Sequence, residues 1–146
     1  MKELITEIEI QAPAERVWQL LTDFVRFPEW NPFLRRLEGK LTKGGRLKVF
    51  MKPSGSFGMT MRPTVIRLDP PHEMRWLGHL FVRGLFDGEH AFVIEEFAPG
   101  RVRFIQRETF RGILIPLFAR MLDKDTKRGF LEMNQALKLR AERTPD

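Results

Sequence analysis

The 146-residue chain contains no cysteine. Disulfides, thiol nucleophiles and cysteine-held metals are therefore excluded, and a cytoplasmic location is the expectation. No run approaches the roughly 18 apolar residues of a bilayer-crossing helix, so membrane insertion is not expected. The opening MKELITEIEIQAP scatters charges where a secretory leader needs an apolar centre. Histidine is scarce, and His72, His79 and His90 share no metal-ligand spacing, so neither a metal nor another cofactor is expected. The segment PSGSFG has glycines but lacks the Lys-Ser/Thr of a phosphate loop, and reads as a hairpin turn. A Gly-x-Ser-x-Gly elbow, a dinucleotide fingerprint and the aromatic motif of RNA-binding sheets are all missing. With no repeat, linker or low-complexity stretch, residues 1–146 fit one domain.

The net charge is +6, which favours weak attraction to anions. Arg35, Arg36, Lys48, Arg62, Arg101, Arg103, Arg107 and Arg128 are spread along the chain, and several alternate with apolar residues. That is the pattern of a sheet's solvated face, so no nucleic-acid partner is expected.

Hydrophobic periodicity orders the rest. LITEIEI (4–10) alternates, with Leu4, Thr6, Ile8 and Ile10 on one face, as a half-buried strand does. APAERVWQLLTDF follows, with Pro13 and Glu15 suited to a helix start and Val17, Leu20, Leu21 and Phe24 at helical spacing. Two prolines in RFPEWNPF (26–33) end that helix and leave a short helical turn or loop. Six strand-like runs come next: 33–41, 46–52, 59–68, 73–81, 89–97 and 101–110, separated by Gly and Pro clusters. Pro63 inside the third of these indicates an edge or a bulge. The segment 113–143 then reads as one long helix, with Leu122, Phe130, Met133 and Leu137 as its apolar stripe and Phe118 and Met121 extending it. Gly129 in its middle costs about 1 kcal/mol against alanine, and implies a close approach, a bend or room for a ligand. RTPD ends the chain as a frayed tail. The expected class is α+β: an antiparallel sheet with the long helix across one face.

The stretches EIEIQAPAERVWQLLTDFVRFPEWNPF (7–33), FDGEHAFVIEEFAPGRVRFIQRETFRGILIPLF (86–118) and TKRGFLEMNQALKLRAE (126–142) carry a resemblance over nearly the whole chain. It resembles the START/pollen-allergen-like (SRPBCC) superfamily, and within it the small bacterial polyketide cyclase/dehydrase and lipid-transport-like proteins. The resemblance implies a helix-grip fold: a curved seven-stranded antiparallel sheet, two short helices after the first strand, and a C-terminal helix gripped over a cavity. It also places Trp30 near the cavity mouth. That fold hosts carriers, cyclases, hydrolases and co-chaperones, so it does not fix the activity.

His90 is the residue that most needs an explanation, since it keeps step with Phe92 and Ile94 on an inward face. Val102, Phe104, Gln106, Glu108 and Phe110 form the inward face of the next run. With a loop at 98–100, Phe97 opposes Arg101 and His90 opposes Glu108; with a loop at 99–101, His90 and Glu108 are diagonal. Such a pair is expected to favour the imidazolium and lower the acid's pKa. Three readings stand: mutual satisfaction in a core, anchoring of a ligand, or general acid/base catalysis. Trp76, Phe92, Phe104, Phe118 and Met133 would line a cavity, with His90, Gln106 and Glu108 orienting a ligand's polar end. Met61, like Met51, Met59 and Met121, reads as core that also suits an adaptable apolar pocket. Asn134 reads as a surface or packing residue. The leading function is binding of a hydrophobic or amphipathic, lipid- or polyketide-like molecule. The alternatives are a cyclase/dehydratase-like enzyme using His90 and Glu108, and a protein-interaction module of the co-chaperone kind. Edge strands and exposed residues such as Leu77 and Phe81 would permit a homodimer.

Overall fold

The structure, a computed structural model, describes residues 1–143; of the frayed tail expected at 143–146, residues 144–146 lie outside them. The alternation of LITEIEI becomes β1 (Lys2–Ile10), its even residues turned inward. α1 (Ala14–Thr22) follows, with Val17 and Leu21 buried. A 3-10 turn over Phe24–Arg26 leads to the four-residue α2 (Phe27–Trp30). The strands are β2 (Leu34–Glu38), β3 (Lys48–Met51), β4 (Met59–Met61), β5 (Thr64–Asp69), β6 (Glu73–Leu80), β7 (Phe86–Ala98) and β8 (Arg101–Arg111). α3 (Ile115–Met121) and α4 (Lys127–Glu142) end the described chain.

Among the described residues, eight strands form two antiparallel sheets, five in the order β1-β8-β7-β6-β5 and three in the order β2-β3-β4. The expected single seven-stranded sheet is therefore corrected. Pro63 explains much of the difference. It has no N–H for a ladder, and it splits the run 59–68 into β4 and β5 while its carbonyl accepts from the Leu47 N–H at 2.9 Å. A lone bridge, Arg46 to Thr64, and bonds around Gly44 and Gly45 connect the two sheets.

The single helix expected over 113–143 is also corrected. α3 begins at Ile115 with Pro116 in its first turn, and a π-helical turn over Leu122–Thr126 separates α3 from α4. The apolar stripe survives the break: Leu122, Phe130, Met133 and Leu137 are all buried. Arg16 of α1 fastens the far end of α4, its Nε donating to the Ala141 carbonyl at 2.6 Å and Nη2 to those of Arg140 and Arg143. A cation thus meets the unsatisfied carbonyls of a helix C-terminus. Not every basic residue belongs to a wet face: Arg35 and Arg128 are half-buried and bond backbone carbonyls of Pro32, Lys52 and Ser54.

Gly129 proves to be a close-approach glycine. A Cβ there would strike the ring of Phe33. Gly129→Ala is expected to lower stability by up to about 2 kcal/mol in urea denaturation. The gain in helix propensity, about 1 kcal/mol, is outweighed by overpacking of about 1–3 kcal/mol. A more stable variant would show that the ring yields freely.

Candidate functional site

β6, β7 and β8 bring the inward residues together through their registers. Trp76 lies opposite His90, His90 opposite Glu108, and Phe92 opposite Gln106. The β7–β8 turn is tighter than either expected loop. Ala98 pairs with Arg101, and a bulge at Phe97 restores the register in which His90 faces Glu108.

His90 stacks on Phe92 with ring centroids 4.0 Å apart and on Phe130 of α4 at 4.9 Å, and Trp76 meets it edge-on at 5.7 Å. Its Nε2 lies 3.0 Å from Gln106 Oε1. The amide of Gln106 reaches the Phe130 carbonyl at 3.3 Å and Asn134 Oδ1 at 2.7 Å. A carbonyl only accepts, so the Gln106 nitrogen must face it. Gln106 Oε1 then accepts from His90 Nε2–H, and the tautomer follows. Asn134 Nδ2 in turn donates to Thr6 Oγ1 at 3.0 Å. One directed chain thus runs His90 to Gln106 to Asn134 to Thr6, tying β7, β8, α4 and β1 together.

Glu108 closes the other end. Its Oε1 lies 3.4 Å from His90 Nδ1, and its side chain keeps 13% exposure. Gly88 on β7 makes space for it, since a Cβ at 88 would come 2.5 Å from Glu108 Oε2. Burial pushes the Glu108 carboxyl up to about 8. Burial also depresses His90 to about 3, the hydrogen bond that it donates to Gln106 offsetting this only in part. The expected imidazolium–carboxylate pair is corrected: both groups are neutral near pH 7, because desolvation outweighs their mutual attraction. The protonated carboxyl can donate to the unprotonated Nδ1, in the same direction as the rest of the chain.

Met133 and Phe104 share this interior, and Phe104 lies 6.5 Å from Phe92. Three expected lining residues stand elsewhere. Trp30 packs edge-on against Phe27 at 5.3 Å, Met61 lies over Gly78, and Phe118 meets Phe86 at 5.6 Å. Asn134, expected at the surface or in packing, is fully inside the hydrogen-bond chain. Thr6, Phe33 and Phe130 were not among the expected site residues.

The interior is filled rather than hollow. Phe92, Phe104, Gln106, Phe130 and Met133 each expose 0% of their surface, and a water-sized void beside any of them would leave some accessible. A recess of about 40 Å³ is bordered by Phe33, Met51, Phe57, Met59, Met121 and Thr126. Phe33 separates it from Phe130, the ring centroids 5.6 Å apart. From the recess inward the order is therefore Phe33, Phe130, His90.

A family model described as polyketide cyclase / dehydrase and lipid transport matches residues 1–142. The chain belongs to this family. Solved structures similar to the family member include a START superfamily protein from Mycobacterium smegmatis, 18% identical, with TM-score 0.75 over 96% of this chain and 97% of that one. The Zhui aromatase/cyclase from Streptomyces is 17% identical, with TM-score 0.75 over 97% of this chain and 94% of that one. The di-domain aromatase/cyclase BexL is 13% identical, with TM-score 0.75, and this chain covers 51% of it, so the family member spans about half of that relative. At these identities the likeness concerns the fold, which is SRPBCC with the helix-grip arrangement of sheet and C-terminal helix. No curated protein matches the chain.

Proposed function

We propose that the protein binds a hydrophobic or amphipathic small molecule, lipid- or polyketide-like, between the five-stranded sheet and α4. The observation that carries this reading is Glu108. Among the described residues, the one side-chain partner of its neutral carboxyl, which stays 13% exposed, is His90 Nδ1 at 3.4 Å. That exceeds the usual hydrogen-bond range of about 2.7–3.2 Å. A donor held that far from its acceptor is only weakly satisfied, and a ligand hydroxyl or carbonyl would partner it better. The ligand enters where Phe33 separates the recess from Phe130. Met51, Met59 and Met121 border that recess, and their flexible side chains suit such a rearrangement.

A second reading has its own support. Glu108 is protonated and His90 neutral near pH 7, the states required of a general acid beside a general base. The aromatase/cyclase reading is thus a matter of turnover by the same site on a polyketide-like substrate. His90 and Glu108 would be its catalytic pair.

Native mass spectrometry of the purified protein, followed by denaturing extraction, tests binding first. The expected result is an apolar molecule at near one per chain, or a raised melting temperature with a fatty acid, flavonoid or polyketide. Glu108→Ala is expected to weaken that ligand about tenfold, the equivalent of one hydrogen bond of about 1.4 kcal/mol. An empty protein that no member of the panel stabilises would end the small-molecule reading. Product formation from a bound polyketide, abolished in the same variant, would establish the enzyme.

A further inference from the structure

Two segments outside the interior present apolar side chains to solvent. Phe81 and Val82, after β6, are 71% and 62% exposed; Ile113, just before α3, and Leu117, in its first turn, are both 76% exposed. Backbone hydrogen bonds hold the segments side by side: Ile113 N–H to the Gly84 carbonyl at 3.2 Å, and Leu114 N–H to that of Leu85 at 3.0 Å. Gly112, with φ 134°, permits this contact, since a Cβ there would run into the Leu85 carbonyl. Phe81 has φ 70°, a conformation that a bulky residue rarely adopts. No burial compensates for that strain, which is a mark of a functional position.

The rim around these side chains is basic. Arg83, Arg111 and Arg120 are exposed. Arg83 and Arg111 border one shallow depression with Asp87, and Arg120 follows Leu117 by one helical turn. The nearby acids are already engaged, Asp87 with His79 Nδ1 at 2.8 Å and the Gly84 N–H, Glu89 with Arg75 Nη1 at 3.2 Å, and Asp123 with Lys2 at 2.6 Å. None of the three arginines is in an ion pair with these acids.

We propose that the rim formed by Phe81, Val82, Ile113 and Leu117, with Arg83, Arg111 and Arg120 around it, docks on an anionic lipid surface. The apolar tips enter the headgroup boundary and the guanidinium groups lie among phosphates, which is the chemistry of a peripheral membrane contact. No helix among the described residues is long and apolar enough to cross a bilayer, so the contact is made from one side. A second copy fits poorly, because a two-fold contact would set this basic rim against itself. The proposal does not rest on the internal ligand, since docking is read with the interior empty or occupied.

Flotation of the full chain with phosphatidylcholine vesicles, with and without phosphatidylglycerol, tests it. The expected result is binding to the anionic vesicles that is about tenfold or more tighter than to neutral ones and weakens as salt rises. Phe81→Ser with Leu117→Ser is expected to abolish flotation, and each of Arg83→Gln, Arg111→Gln and Arg120→Gln to weaken it roughly fivefold. These side chains are exposed, and unchanged melting curves will show the fold intact. Phe97→Ser, at the far end of β7, is expected to have no effect. Absent flotation, equal binding to both vesicle types, or equal loss with Phe97→Ser overturns the proposal. So does a dimer in solution that the Phe81→Ser, Leu117→Ser variant dissolves without any vesicle binding.

Discussion

Gln106→Leu is expected to lower the free energy of unfolding by about 4 kcal/mol, among the largest losses available to a single substitution in this chain. Leucine fills nearly the same space, so little of that loss comes from packing. It comes from the groups left behind. His90 Nε2–H loses its acceptor at 3.0 Å and Asn134 Oδ1 loses its donor at 2.7 Å. Each buried orphan costs about 1–3 kcal/mol, and neither can turn to water, because His90 and Asn134 are each 1% exposed. Equilibrium denaturation in urea measures the effect. Asn134→Leu removes the same Gln106–Asn134 bond from the other side. The double variant should therefore cost clearly less than the sum of the two single ones. A Gln106→Leu loss under about 1 kcal/mol would mean that the chain does not hold sheet to helix.

The same chain shows which parts of the site the sequence makes legible. Strand parity places His90, Phe92, Gln106 and Glu108 on one inner surface, with His90 either opposite or diagonal to Glu108, because a period of two leaves only two choices of face. The bulge at Phe97 was not legible, yet its shift cancels the shorter turn. Asn134 was legible in principle. It follows Phe130 by four and precedes Leu137 by three, which puts it on the buried stripe. Its polarity argued for the surface, and only the donor waiting on β8 outweighs that. Thr6 is similar: its inward parity was plain, but its partner lies 128 residues away. The π-helical turn had no signal, since the apolar residues on either side of it keep a spacing that one continuous helix also satisfies. The split of sheet by Pro63 was half legible, as an edge or bulge rather than a break. Trp30, Met61 and Phe118 were placed in the site by residue type and resemblance, and each packs against a different neighbour. Proximity can thus be read from strand spacing. Desolvation cannot, and desolvation sets the charge states of His90 and Glu108.

Those charge states predict an unusual pH profile of stability. Glu108 has a folded pKa of about 8, raised by burial from 4.5. Its contribution is fully present below pH 4.5 and is lost as pH rises toward 8, because the unfolded chain ionises first. His90 works from the other side. Its folded pKa of about 3 lies below 6.5, so its contribution is present above pH 6.5 and is lost as pH falls toward 3. At about 1.4 kcal/mol per pH unit, each group's contribution spans roughly 5 kcal/mol, of which about 2 kcal/mol lies outside the range where the two overlap. Between pH 4.5 and 6.5 the two slopes oppose and cancel, so stability is expected to be level there and to fall on both sides. Asp87 and Glu142, whose pKa values are lowered, add only to the acid limb. Glu108→Gln separates the limbs, since an amide keeps a donor for His90 Nδ1 and never ionises. Its stability relative to the wild type should climb steadily from pH 5 to pH 8, reaching several kcal/mol, while the acid limb stays in place. A difference curve that is flat over that range would mean that Glu108 ionises inside the fold. It would then sit beside a neutral imidazole as a charged acceptor, unable to donate a proton to His90, to a ligand or to a substrate.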